Sequence, residues 1–151
     1  MTTQAQVRSA WQISVFNNPT IQAITPKIYP YDVTKQSTKE ILKFRYNQEV
    51  NFITYIVKRS QQMMIMGQIA QAFEVELSYY KVADTDGVNF NSVLDFFESL
   101  DTIVISGLGQ TWGGIIDYYQ TQEQSIEIEQ IDLEGEAIWL GRYKYIGFKK
   151  I

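Results

Sequence analysis

Phe73-Glu74-Val75-Glu76-Leu77-Ser78-Tyr79-Tyr80 alternates apolar side chains with mostly polar ones. Phe73, Val75, Leu77 and Tyr79 fall on one side, and Glu74, Glu76, Ser78 and Tyr80 on the other. A two-residue period of this kind marks a strand with one face on a core and one in water. The strand is expected over 73–82. Upstream, Val50-Asn51-Phe52-Ile53-Thr54-Tyr55-Ile56-Val57 is β-branched and aromatic, as suits a strand buried on both faces. The segment between them, 58–72, holds Met63, Met64 and Met66 around Gly67. It reads either as strand extensions closing a long hairpin or as a mobile loop.

Downstream, Asp84-Thr85-Asp86-Gly87 has turn chemistry. Val93, Phe96, Phe97, Leu100, Ile103 and Val104 then recur at helical spacing, with Asn91 or Ser92 as N-cap candidates. The spacing predicts an amphipathic helix over 92–106, ended by Gly107 and Gly109. Glu127–Leu133 and residues 138–148 read as two more strands around a turn at Leu133-Glu134-Gly135. At the other end, residues 4–17 read as a helix through Val7, Ala10 and Trp11, stopped by Asn17-Asn18-Pro19. A short apolar piece follows at 21–24, an extended piece at 27–32, and a polar, basic connection at 33–48. The expectation is an α+β fold, one domain over 1–151. Its sheet is mainly antiparallel or mixed, with the N-terminal helix and the main amphipathic helix packed on it.

The chain has 151 residues, 45% of them hydrophobic and 20% charged, enough apolar material for one core. It has neither cysteine nor histidine, which removes disulfides, thiolate nucleophiles, Ser-His-Asp triads and Cys/His metal sites. No signal-peptide pattern opens the chain, and no apolar run approaches the roughly 20 residues of a membrane span. The expectation is therefore a soluble protein, made in a cytosol and with no membrane partner.

Charge is unevenly spread. Residues 1–81 carry nine Lys/Arg and five Asp/Glu, residues 82–141 carry twelve acids and no base, and residues 142–151 add four bases. Either the fold interleaves these blocks, or a two-signed surface meets its opposite on a neighbouring copy. The acidic middle argues against specific nucleic-acid recognition, which needs Lys and Arg on phosphates.

Asp95, Glu98 and Asp101 lie on one side of the main helix, where acid/base or metal chemistry is conceivable. A solvated helix face has the same spacing. Gly107-Leu108-Gly109-Gln110-Thr111-Trp112 puts a tryptophan where a phosphate-binding loop needs glycine, so a helix C-cap and flexible loop is expected there. Asp84-Thr85-Asp86-Gly87 lacks the glutamate of a calcium loop, since Val93 stands in its place. Trp139, Tyr143 and Tyr145 share one face of the last strand, and form either a glycan- or small-molecule-binding platform or core. No catalytic, cofactor or metal-ligating residue is assigned. The residues expected to contact another copy are Lys58, Arg59, Met63, Met64, Met66, Asp84 and Asp86. Lys58 and Arg59 would meet the acidic block, and the adaptable methionines a partner surface. The competing reading places the methionines in the chain's own core.

Four pieces occur in order: Ser92-Val93-Leu94-Asp95-Phe96-Phe97-Glu98-Ser99-Leu100, Leu108-Gly109-Gln110-Thr111-Trp112, Ile128-Glu129-Gln130-Ile131-Asp132, and Trp139-Leu140-Gly141-Arg142-Tyr143-Lys144-Tyr145-Ile146-Gly147-Phe148. Together they resemble the tail-terminator, or tail-completion, proteins of long-tailed bacteriophages and prophages. The quotable match covers about residues 73–148, and 33–48 and 58–72 have no counterpart in it. The resemblance implies a non-enzymatic structural protein that forms a ring, commonly a hexamer, on the end of the tail tube. Its partners would be itself, the tail tube protein and the head-tail connector protein. Its place would be the virion tail, assembled in the bacterial cytoplasm, and it would need no cofactor. An acidic surface would suit a channel through which DNA slides without sticking. The rival functions are the aromatic-face binding module and a hydrolase built on Asp95, Glu98 or Asp101.

Overall fold

The computed structural model describes residues 1–25, 28–30, 50–121, 127–133 and 135–151. The connection expected at 33–48 and part of the extended piece at 27–32 lie outside the described residues. Helix α1, Gln4–Trp11, opens on a reciprocal cap. The Thr3 hydroxyl accepts the Gln6 N–H at 3.2 Å, and the Gln6 side chain accepts the Thr3 N–H at 2.8 Å. The helix widens into a π-helical turn, Gln12–Phe16, before α2, Pro19–Ile24. Asn18 caps α2 through the Thr20 N–H, and Pro19 sits in its first turn, where a missing N–H costs nothing.

Among the described residues six strands form one sheet: β1 Ile28–Tyr29, β2 Asn51–Ile65, β3 Gln68–Val82, β4 Tyr118–Thr121, β5 Glu127–Leu133 and β6 Glu136–Lys150. Their order is β1-β2-β3-β6, with β4 and β5 sharing the far edge of β6. β4 lies opposite residues 145–148 and β5 opposite 136–142. Among the described residues only β1 runs parallel to its neighbour; every other pairing is antiparallel.

Alternation in β3 puts Phe73, Val75, Leu77 and Tyr79 on the helix-bearing face, as its period predicts, and all four are buried. α3, Val88–Ile103, lays Val93, Phe96, Phe97, Leu100 and Ile103 onto that face. It ends in a second π-helical turn, Val104–Leu108. Two glycines of β6 make this close approach feasible. A Cβ on Gly141 would stand 2.6 Å from the Phe97 ring, and one on Gly147 would stand 2.6 Å from Trp112.

Two expectations need correction, one open choice is decided and one strand was not foreseen. The main helix begins at Val88, not near residue 92, because carboxylates upstream satisfy its first N–H groups. Asp84 accepts the Asn89 N–H at 2.6 Å and Asp86 the Val88 N–H at 3.2 Å. Of the two readings of 58–72, the strand extensions closing a long hairpin are the one observed. β2 and β3 pair out to Ile65 and Gln68, with a shift in register between Arg59 and Gln62. Met66 and Gly67 both have positive φ, as a two-residue turn matching strand twist requires. The expected flexible loop after α3 is an anchor. Trp112 is wholly buried, edge-on to Trp11 at 5.3 Å. Backbone hydrogen bonds from Gly113 to Leu108 and from Ile116 to Thr111 close the turn around it. Finally, β4 carries a pairing that no periodicity announced.

Candidate interaction surface

The β2–β3 hairpin ends at an open edge of the sheet. β6 pairs with β3 from Ala70 onward, and among the described residues β1 covers β2 only at Ile53 and Thr54. This arm, residues 60–72, is therefore flanked by β6 on its β3 side almost to the turn, with the Ile151 N–H reaching the Ile69 carbonyl at 3.1 Å, and its exposure comes from the turn and the outer edge of β2. Met63 is 47% exposed, Met64 67% and Met66 96%, with Ile69 exposed beside them. The reading that places these methionines in the chain's own core is thus overturned. The arm is also uncharged: residues 60–72 contain no Asp, Glu, Lys or Arg. An uncharged edge strand with exposed methionines is what solitary proteins avoid.

The charged candidates sit differently. Lys58 is exposed at the arm's base, with its ammonium 3.2 Å from Glu76. Lys144 reaches the same carboxylate at 3.2 Å and Glu74 at 3.8 Å, so three strands share one ionic lattice on the helix-free face. Arg59 is exposed. Asp84 is engaged within its own chain, accepting both the Asn89 N–H and the Trp139 indole N–H at 3.1 Å. Those donors, the Asn89 amide first, hold its carboxyl below the usual carboxylate range. Asp86 is exposed apart from its Val88 bond. The charge blocks are partly interleaved. Arg142 meets Glu129 at 2.7 Å, and Lys149 meets Asp117 at 3.5 Å.

Asp95 and Glu98 are exposed, whereas Asp101 turns towards the core and accepts the hydroxyls of Tyr145 and Tyr143, the latter at 3.3 Å. Burial foremost, and then this carboxylate, push the Tyr145 hydroxyl far above its ordinary range. The three acids therefore do not converge on a shared cleft. Tyr143 and Tyr145 are buried, and Trp139 is half-buried against Phe90 at 5.3 Å. The three aromatics of β6 thus belong to packing and do not form an open platform. Among the described residues no group of three acids is placed to hold a metal ion. No helix among them is long and apolar enough to cross a membrane.

Sequence reasoning missed Ile69, whose signal was present in the charge-free run around it. It also missed a groove beside the outer edge of β2, of about 810 Å³. Gln4, Arg8 and Ile13 from the N-terminal helix line one side, and Pro30, Tyr55 and Val57 the other. The sequence matches no protein-family model and no curated protein.

Proposed function

We propose that this chain is a non-enzymatic structural protein of a phage virion. It acts as a tail terminator that assembles as a ring on the end of the tail tube and meets the head-side connector. The observation that carries the reading is the charge-free hairpin tip with its exposed methionines. Such a surface is an aggregation hazard on a monomer and a natural contact in an assembly. Support also comes from the resemblance of about residues 73–148 to the terminator proteins. The α+β architecture agrees with what that resemblance implies. The acids of α3 and the aromatics of β6 are spent on solvent and packing, which favours an assembly role over the two rival functions.

The test is light scattering of the purified protein, with a tail-tube capping assay for a ring that forms only on the tube. Met64→Ser with Met66→Ser should keep the fold and lose assembly, because both side chains already stand in water. Lys58→Glu with Arg59→Glu should also stay folded, since an exposed ion pair contributes only about 0–1 kcal/mol. Raising salt should slow assembly of the parent, as charges at an interface rim act mainly on encounter. A parent that stays monomeric at every concentration and leaves tail tubes uncapped would refute the proposal.

A further inference from the structure

We propose that the hairpin tip is under redox control: peroxide oxidises the thioethers of Met63, Met64 and Met66 in the free copy, and the sulfoxides bar that copy from assembly. The inference deepens the ring reading and rests on it.

The chain places its sulfur where an oxidant can reach it. It has four methionines and no cysteine. Methionine ranks among the residues most often found inside proteins, yet all four stand exposed here. Three of them surround one turn. Met63 lies opposite Ala70 and Met64 opposite Ile69, so as neighbours along β2 they point to opposite faces of the sheet. Met66 occupies the turn itself.

The backbone at Met66 argues that its side chain is used. Its φ is 50°, and that of Gly67 is 78°. The first place of such a turn suits Asn, Asp or Gly, which tolerate a left-handed backbone, whereas a longer side chain is strained there. At 96% exposure, the methionine returns almost no packing to the fold to offset that strain. Its advantage lies outside the single copy, in what the thioether meets or undergoes.

What a thioether adds to an apolar chain is reactivity. Hydrogen peroxide transfers one oxygen atom to sulfur: an S–O bond forms, the O–O bond breaks, sulfur gives up two electrons and water leaves. A flexible apolar side chain becomes a polar one. In the free copy the new oxygen stands in water, so the fold is indifferent to it. A contact that covers the tip would bury the oxygen, and a buried acceptor without a donor loses its hydration uncompensated. A thiol-dependent sulfoxide reductase reverses the change, removing the oxygen as water while two thiols become a disulfide.

The test starts from parent protein treated with hydrogen peroxide until peptide mass spectrometry finds sulfoxide at all three positions. Its urea midpoint should match that of untreated protein. Assembly, followed by light scattering with and without tail tubes, should weaken about tenfold or more for each sulfoxide that the contact buries. A sulfoxide reductase with dithiothreitol should restore it. Met63→Leu with Met64→Leu and Met66→Leu keeps the apolar bulk and retains Met1, and should assemble without sensitivity to peroxide. Adaptable packing alone would also favour methionine, and then oxidised parent would assemble as well as untreated parent. That result would leave the ring reading standing and remove this inference. So would a lowered urea midpoint, damage that the reductase fails to reverse, or sensitivity that persists in the triple leucine variant. A parent that assembles in neither state, with or without tail tubes, would remove both.

Discussion

Gly147→Ala adds one methyl group where the fold has no room for it. Gly147 lies on the helix-bearing face of β6, beneath Trp112. The new Cβ would stand 2.6 and 2.8 Å from two indole carbons and 2.9 Å from the Ile116 methyl. Carbon atoms rest at about 3.5–4.0 Å, so roughly 1 Å must open. The indole cannot swing aside. Trp11 meets it edge-on at 5.3 Å, Tyr119 packs at 5.8 Å, and the ring is wholly buried. Overpacking of this kind costs about 1–3 kcal/mol. The alanine recovers about 0.4–1 kcal/mol by narrowing the unfolded ensemble. The expected net loss is therefore about 1–2 kcal/mol. With m of about 2 kcal/mol/M in urea, the middle of the usual range, the denaturation midpoint should fall by some 0.5–1 M. The decisive arm is the double variant Gly147→Ala with Trp112→Phe, which trims the ring carbons that the methyl meets. It should be more stable than the sum of its single changes by about 1 kcal/mol, within the range of contacting pairs. An unchanged midpoint for Gly147→Ala, or strict additivity in the double variant, would refute the argument from packing.

Phe97→Ala should lose about 3–5 kcal/mol, since the ring is wholly buried between Phe96 and Tyr143; urea midpoints check it, and melting with the parent would contradict the facing of α3. On the acid side, the Lys150 N–H first and the Lys149 ammonium second hold the Asp117 carboxyl below its ordinary value. That stabilisation is present above the unfolded value of about 3.9 and is lost as pH falls through the lowered folded one. Asp117→Asn should therefore be less stable than the parent at pH 7, and the gap should narrow as pH falls below about 4, as urea midpoints across that range will read. On the alkaline side, burial raises the Tyr79 hydroxyl to about 12. Its contribution is intact below an unfolded value of about 10 and disappears as pH rises through about 12. Tyrosinate absorbance should lag in the folded protein, and simultaneous ionisation of all ten tyrosines near pH 10 with the fold intact would contradict this.

The strands β2 and β3 and the stripe of α3 were legible because burial imposes a period, and a period survives in a sequence. β4 was not, since Tyr-Tyr-Gln-Thr is too short to show one. The start of α3 was misplaced because its first amides are satisfied by Asp84 and Asp86, which lie upstream of the helix. Trp112 read as loop because glycines flank it; its burial depends on Trp11 and Gly147, far away in the chain. Gly141 and Gly147 were silent for a related reason: an absent side chain matters only through what leans over it. For the interaction surface, residue type pointed to the methionines, but their exposure depends on where β1 and β6 stop. The groove beside β2 joins residues from α1 and the sheet, and no local pattern announces it.

The antiparallel pairing of β3 with β6 waits on everything between them. β2 and β3 are joined by a two-residue turn and can zip locally, whereas β6 must return across α3, β4 and β5. Pairings that close long stretches of chain form late. During that interval β3 offers an unsealed edge beside an uncharged arm, ready to join the β3 of another unfinished molecule. Glu74 and Glu76, half-buried in the finished domain, matter most in that window. Two β3 strands side by side would set glutamate near glutamate, a repulsive arrangement across a ladder. Lys144 on the arriving β6 turns the same two acids into an attraction. The lattice on the helix-free face thus works as a kinetic password, admitting the chain's own last strand and turning away copies of β3.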